Sequence, residues 1–233
     1  MNEAPAHPAN PTAPPHSNGR VALLAGATGL IGRELLQTLR GSPRYAHTHL
    51  LLRRANAALA EDVRTTLHVV DFTRLQALPP TDDVYIALGT TIKVAGSKEA
   101  FRAVDFGHVV ATATAARAAG ATRLAVVSAL GADVHSSVFY NRVKGEMQAA
   151  VGALGFESVV IAQPSLLIGD RAALGQPVRA GEVWLTRLLM PVMALVPRSV
   201  RPIRAAAVAA SMVEAVLSAH PGVRMLGSAA MQR

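Results

Sequence analysis

Three evenly spaced glycines constrain this chain more than any other feature. They stand in Gly26-Ala27-Thr28-Gly29-Leu30-Ile31-Gly32, between an apolar run at 21–25 and a stretch at 30–40 with apolar residues at helical spacing. A strand followed by such a segment and a helix is a specific local structure. The first glycine turns the chain tightly off the strand. The second lets backbone approach a pyrophosphate, and the third lets helix and strand pack closely. The helix N-terminus then presents free N–H groups and a partial positive charge to phosphates. The segment therefore points to dinucleotide binding, with Gly26, Thr28, Gly29, Leu30, Ile31 and Gly32 around the diphosphate.

The rest of the chain alternates in the same sense. Further strands are expected at 48–53, 67–70, 84–88, 124–128 and 158–163, and helices at 98–119 and 138–154. Regular β-α alternation with apolar strands argues for an α/β fold, a Rossmann doubly wound parallel sheet. The 233 residues suit one domain, and hydrophobic residues make up 51% against only 4% aromatics. Such a core is built mostly from Ala, Val, Leu and Ile, which suits a buried sheet under Ala-rich helices. Residues 1–18 contain five prolines and few large apolar groups, so they read as a disordered tail before a single domain at 19–233. After Pro164 the pattern changes to a Gly/Pro-punctuated loop at 165–181 and helices at 182–196 and 205–219. Residues 165–233 are thus expected to form a small C-terminal helical cap that supplies the substrate pocket.

Composition limits the function classes. With no cysteine, disulfides and cysteine-ligated metals are excluded, and no metal site is expected. The formal charge is +8, but only Lys93, Lys98 and Lys144 are lysines and the arginines are scattered along the chain. No basic run exceeds two residues and no aromatics interleave with them, so nucleic acid is not an expected partner. No apolar stretch is long enough to span a membrane, and the N-terminus lacks the apolar core of a secretory signal, so a cytoplasmic protein is expected. The apolar stripe at 188–196 reads as a lid or core helix, with a membrane-surface or homodimer helix as alternatives.

The second strand is expected to end in Leu50-Leu51-Leu52-Arg53-Arg54, where an NAD-preferring site usually carries an acidic residue for the ribose 2′-hydroxyl. Arg53 and Arg54 suit a 2′-phosphate instead, with Arg33 as a further candidate, so NADP(H) is favoured over NAD(H). Asp71-Phe72 ends the third strand. Asp71 can accept from the adenine amino group or simply cap the following turn.

Tyr140 and Lys144 lie four apart on the helix after the fifth strand and so share a face, and Ser128 ends that strand. Carbonyl reduction needs a hydride donor and a proton at the developing alkoxide. A free phenol, with a pKa of about 10, releases its proton reluctantly near neutrality, and a neighbouring ammonium favours the phenolate. Tyr140 is then the candidate general acid and base, and Lys144 the group that tunes it and binds the nicotinamide ribose. Ser128 is the candidate donor to the substrate oxygen. Ser136 and Ser137 compete for that role, and position at the strand end favours Ser128.

Taken in order, GATGLIG, LLLRR, DVYIALGTT, VSALGAD, FYNRVKGEM and QPSLLIGDR resemble the atypical short-chain dehydrogenase/reductases. Within them the chain is most similar to the NAD(P)-binding branch of the human Tat-interacting oxidoreductase and its bacterial relatives, over roughly residues 20–220. The resemblance implies that Leu88, Gly89, Thr90 and Thr91 line the cofactor and that Pro164, Ser165 and Leu166 approach the nicotinamide. It matches Ser128, Tyr140 and Lys144 to the family's active residues. One departure stands out: Asp105 falls where many members carry an asparagine of a proton relay. The implied function is an NADPH-dependent oxidoreductase acting on a small carbonyl or hydroxyl substrate. The alternative is an NADPH-binding sensor or regulatory protein, and a weaker one is a nucleotide-sugar or isomerase-type enzyme that keeps its cofactor. Arg171 and Arg179 are candidates for an anionic substrate group.

Overall fold

Strands whose residues are buried on both faces cannot sit at a protein surface, and here they form the middle of one parallel sheet. The computed structural model describes residues 19–168 and 197–232. The expected tail at 1–18, the expected helix at 182–196 and both Arg171 and Arg179 lie outside them. In chain order the elements are β1 (Arg20–Ala25), α1 (Leu30–Gly41), β2 (Tyr45–Leu52), β3 (Thr65–Val69) and β4 (Asp83–Ile86). Next come α2 (Ile92–Ala95), α3 (Lys98–Arg102), a π-helical turn (Ala103–His108), α4 (Val109–Ala118), β5 (Arg123–Val127) and α5 (Phe139–Gly152). The chain continues with β6 (Ser158–Gln163), β7 (Leu167–Ile168), β8 (Ile203–Arg204), α6 (Ala205–Leu217), β9 (Gly222–Gly227) and α7 (Ser228–Met231).

The main sheet runs β3-β2-β1-β4-β5-β6-β9, and every pairing is parallel. This is the expected Rossmann arrangement. The order reverses between β1 and β4, which opens a crevice at their C-terminal ends, where ligands of such sheets bind. Alternation along the strands divides the core in two. Ala22 and Leu24 face α1 and α6 through Leu35, Leu39, Val208 and Met212. Leu23, Ala25, Val84 and Ile86 face α4 and α5 through Val109, Ala113, Met147 and Val151. Within residues 165–233, α6 belongs to the first core and β9 extends the sheet. Leu167–Ile168 and Ile203–Arg204 form a separate small parallel pair.

The elements differ from expectation at several places, among them the short pair β7 and β8, the one-turn helices α2 and α7, and strand ends such as that of β5 at Val127, with Ser128 just beyond it. Three further differences bear on the site and the sheet. The helix expected over 98–119 is interrupted by the π-helical turn, which inserts a wider ring into an otherwise continuous helical path. β4 stops at Ile86, so Ala87 and Leu88 belong to the following loop. β9 was not anticipated. It follows Pro221-Gly222, which reads as a loop signal, and it lies at the sheet edge with Val223 and Met225 about half exposed.

A closed polar network ties the strand starts together at the end of the sheet opposite the glycine loop. Arg20 donates through both Nε and a terminal nitrogen to Asp83, each at 2.6 Å. The Tyr45 hydroxyl donates to Asp83 Oδ2 at 2.8 Å and lies 2.6 Å from the Tyr85 hydroxyl. Burial, and then the Asp83 charge, push the Tyr45 phenol well above its ordinary range; burial does the same to Tyr85. On the sheet margin His47 and His49 of β2 lie beside His68 of β3, with His49 Nδ1 and His68 Nε2 3.0 Å apart. Burial, then the neighbouring imidazoles, hold His49 down to about 4.

Two outcomes follow from these buried groups. Asp83→Ala leaves Arg20 and the Tyr45 hydroxyl without their acceptor in a buried site and is expected to destabilise the fold by about 3 kcal/mol, measured by urea unfolding. For His49, the unfolded chain takes up a proton near the ordinary value of about 6.5, whereas the native state does so only near 4. Stability contributed by this group is therefore present above about 6.5 and lost as pH falls toward 4. His49→Gln should flatten that part of the melting temperature against pH; an unchanged slope would show that the imidazole does not contribute.

Candidate functional site

Gly26 has φ of +95°, the left-handed region that favours glycine, and a Cβ there would lie 2.5 Å from the Ala87 carbonyl oxygen. A Cβ on Gly32 would lie 1.9 Å from the Gly26 carbonyl oxygen, so only glycine lets the first turn of α1 sit against the end of β1. Gly29 N–H donates to Gly26 O at 3.0 Å and closes the turn, and Gly29 then serves as the N-cap of α1 without a side chain to cover the helix end. The first-turn N–H groups of α1 have no intrahelical acceptors and point to the crevice. Leu30 and Ile31 anchor this turn, Thr28 is exposed and Arg33 half-buried.

Beside this loop, Arg53 and Arg54 leave the end of β2 exposed. Asp71 Oδ1 accepts from the Thr73 N–H at 2.8 Å and from its hydroxyl at 2.7 Å, and these bonds hold the carboxyl below the usual range. The turn-capping role of Asp71 is thus the one the side chain makes here. Phe72 is buried and its ring stacks on His108, with centroids 5.7 Å apart and planes at 30°. The His108 imidazole is held below its ordinary range by burial and then by the Arg53 charge, against an opposing effect of Asp71. Arg53, Asp71, Phe72 and His108 therefore meet. His108 carries no motif and could not be singled out from the sequence.

At the other end of the crevice, the loop after β4 carries Leu88, Gly89, Thr90 and Thr91. Thr91 caps α2 by accepting from the Val94 N–H at 3.2 Å. The Thr90 N–H donates to Asp105 Oδ2 at 2.8 Å, and Asp105 Oδ1 lies 2.7 Å from the Lys144 ammonium. Both side chains are buried, with exposures of 4% for Lys144 and 1% for Asp105. Gly89 lies over the pair, and a Cβ there would meet Asp105 Oδ1 at 3.3 Å and Lys144 Nζ at 3.9 Å. The Lys144 ammonium, the candidate partner of Tyr140 and of the nicotinamide ribose, is engaged in an ion pair with Asp105.

Tyr140 is half-buried, with its ring 5.3 Å from that of Phe101. Tyr140, Lys144 and Gln148 recur every four residues and share one face of α5. Ser128 is buried, and its Oγ accepts from Gln148 Nε2 at 2.6 Å, which holds it against that face. Gln148 Oε1 in turn accepts from Gln163 Nε2 at 3.4 Å. Ser136 Oγ accepts from the Val138 N–H at 3.2 Å, so it serves the entry to α5, and Ser137 is exposed. Pro164 is buried. The Ser165 hydroxyl donates to Arg201 O at 2.5 Å and lies 2.9 Å from the Ser228 hydroxyl, and Leu166 O accepts from the Ile203 N–H. Ser165 thus fastens the chain after β6 to the C-terminal segment. Neither Gln148 nor the close approach of residues 133–134 to Gly145, where a Cβ would lie 2.3 Å from backbone, was visible in the sequence.

A parallel sheet with a glycine-lined crevice at its switch point defines a dinucleotide-binding Rossmann protein. The chain belongs to the NAD(P)H-binding family, whose model matches residues 26–158. Protein fmp52, mitochondrial, of Aspergillus fumigatus is 40% identical over 156 residues, covering 64% of this chain and 67% of that protein. The Candida albicans protein of the same name is 32% identical over 184 residues, covering 72% of this chain and 80% of its own. Among solved structures, the Bordetella bronchiseptica enzyme WbmG in complex with NAD has a TM-score of 0.66 at 14% identity, covering 93% of this chain and 75% of that one. The Helicobacter pylori ADP-L-glycero-D-manno-heptose-6-epimerase has a TM-score of 0.65 at 13% identity, covering 90% and 77%. These two share the fold.

The resemblance holds in its coarser form, an NAD(P)-binding Rossmann-type domain, and the relatives above are named fmp52 rather than for the Tat-interacting oxidoreductase. They are also named mitochondrial, which overturns the cytoplasmic placement. The lack of a secretory signal had carried that placement, and it does not discriminate between these compartments. No helix among the described residues is long and apolar enough to cross a membrane.

Gly26→Ala combines left-handed strain with a clash at Ala87 and is expected to weaken NADPH and NADH binding by about tenfold or more. Fluorescence titration checks this, with circular dichroism to confirm folding. Wild-type affinity would remove the loop from the diphosphate site.

Proposed function

We propose that this chain is an NADPH-dependent oxidoreductase that moves a hydride to or from a small carbonyl or hydroxyl compound. The observation that carries this reading is the single face of α5 that presents Tyr140 and Lys144, sets Lys144 beside Gly89 and, through Gln148, holds Ser128. The tight glycine turn, where a Cβ on Gly26 or Gly32 would run into backbone, suits the close approach of a diphosphate, and Arg53 and Arg54 suit a 2′-phosphate. The half-buried His108 ring, backed by Phe72, offers the adenine an aromatic face. Leu88, Gly89, Thr90, Thr91, Pro164, Ser165 and Leu166 would border the nicotinamide half, with Lys144.

When bound, the reduced nicotinamide supplies the hydride. The chain's own residues do the rest. Ser128 donates its hydroxyl proton in a hydrogen bond to the substrate oxygen and fixes its place. Tyr140 delivers a proton to that oxygen as negative charge develops on it, and recovers it in the reverse direction. Lys144 keeps its remaining N–H groups for the cofactor ribose and for stabilising the tyrosinate left behind.

A second reading is favoured by one specific observation. The Asp105 carboxylate at 2.7 Å neutralises the Lys144 ammonium, which makes it a weaker activator of Tyr140 than an unpaired one. That suits an NADPH-binding sensor or regulatory protein with little turnover.

Tyr140→Phe separates the two readings. Against a panel of aldehydes, ketones and quinones, the enzyme reading expects turnover to fall by about a hundredfold or more, while NADPH affinity stays near wild type. Undiminished turnover would remove Tyr140 from the chemistry. Tight NADPH binding with no turnover of any panel member by wild type would favour the sensor.

A further inference from the structure

Neither the glycine loop nor the Ser-Tyr-Lys set explains why a carboxylate is buried at the nicotinamide end of the crevice. Asp105 is 1% exposed and sits in the middle of the π-helical turn, which departs from the α-helix at the point where this side chain is directed inward. π turns within α-helices are frequent at functional sites. The two carboxylate oxygens have different partners. Oδ2 accepts the Thr90 N–H at 2.8 Å, and Oδ1 meets the Lys144 ammonium at 2.7 Å. Gly89, between the two partners, has no Cβ to keep them apart.

We infer that Asp105 is a positioning residue that couples the conformation of the Leu88–Thr91 loop to the placement of the Lys144 ammonium. The inference rests on the proposed role of this end of the crevice and names the regulation of that same site. A buried carboxylate left without its cation, or a buried ammonium without its anion, is strongly disfavoured. The ammonium and the loop amide therefore hold their positions through one shared anion. When the loop moves away, Asp105 loses a hydrogen bond and its hold on Lys144 changes; when Lys144 is displaced, the loop loses the charge balance that keeps its anchor buried. Nucleotide entering against Gly89 and Thr90 meets an ammonium already oriented, with one N–H engaged by Asp105 and the others available.

This coupling predicts a split between two substitutions at one position. Asp105→Asn keeps an oxygen to accept the Thr90 N–H but removes the charge that orients Lys144. Asp105→Ala removes both. In NADPH fluorescence titrations of the full chain, D105A is expected to bind at least about tenfold more weakly than wild type, and D105N by a smaller but measurable factor of about threefold, because it keeps the loop acceptor and loses the anion. The double variant D105A/K144M should lose less affinity than the losses of D105A and K144M combined, because the two residues act as one unit. If D105A does not fold, Thr90→Pro removes the loop N–H, with Thr90→Ala as the control for loss of the side chain, and T90P is expected to weaken NADPH binding by a similar factor while T90A stays near wild type. Wild-type affinity in D105A or T90P, affinity in D105N as weak as in D105A, or additive losses in the double variant would overturn the inference. Melting temperatures accompany each titration, since a merely structural role lowers them in every variant without producing the split. The titrations need no substrate, so they decide the role of Asp105 even if no carbonyl compound is turned over and the proposed reaction fails.

Discussion

The ligand side of this protein depends on how closely the first turn of α1 approaches the end of β1. With 1.9 Å between the Gly26 carbonyl oxygen and the place where a Gly32 Cβ would stand, the contact is backbone on backbone. That distance lets the helix start immediately above the sheet at its switch point, so its unsatisfied N–H groups open into the crevice between β1 and β4. The same placement directs the opposite face of α1, through Leu35 and Leu39, onto the core it shares with α6. Helix α6 therefore packs on the same helix that the glycine turn brings against β1, although more than 160 residues separate the two helices in sequence.

Two buried carboxylates mark the two ends of the sheet, and their surroundings divide structure from function. Asp83 has both oxygens occupied by Arg20 and one shared with Tyr45, inside a closed network that holds β1, β2 and β4 in register. Nothing in that network faces a crevice. Asp105 is buried to a similar degree, but its partners are a loop amide and an ammonium beside the exposed Gly89. A charge pair in such a place is a poor device for stability, because desolvation offsets most of its attraction. Its use lies in orientation: it fixes where a cation stands while leaving that cation's other donors free.

The fold was legible in the sequence because alternation and punctuation agreed with it at nearly every step. The β strands of the sheet centre, the glycine turn and the long helical path after β4 all follow from local pattern. What escaped has a common cause: it depends on contacts between distant residues. β9 has no strong strand signal of its own and becomes a strand because β6 offers it an edge. The π-helical turn has no composition signature, and the partners of the Asp105 at its centre come from two other segments. Gln148 and His108 look like ordinary helical residues until Ser128 and Phe72 are placed against them. Asp105 was visible as a departure from a resemblance, but its partners were not, since Thr90 and Lys144 approach it from two other segments.

The hydrogen bonds behind Ser128 have a direction, and direction limits what the site can recognise. Gln163 donates to the carboxamide oxygen of Gln148, which leaves the Gln148 nitrogen to donate to Ser128. Ser128 Oγ is thus an acceptor on its buried side, and its single proton is available to the crevice. A serine held this way has a proton to give to a ligand oxygen with lone pairs to offer. Lys144, whose donors face the same region, imposes the same selection. Under the proposed reaction, that polarity matches a carbonyl on which negative charge grows, and the chain of amides from β6 through α5 is what keeps Ser128 from turning its proton inward.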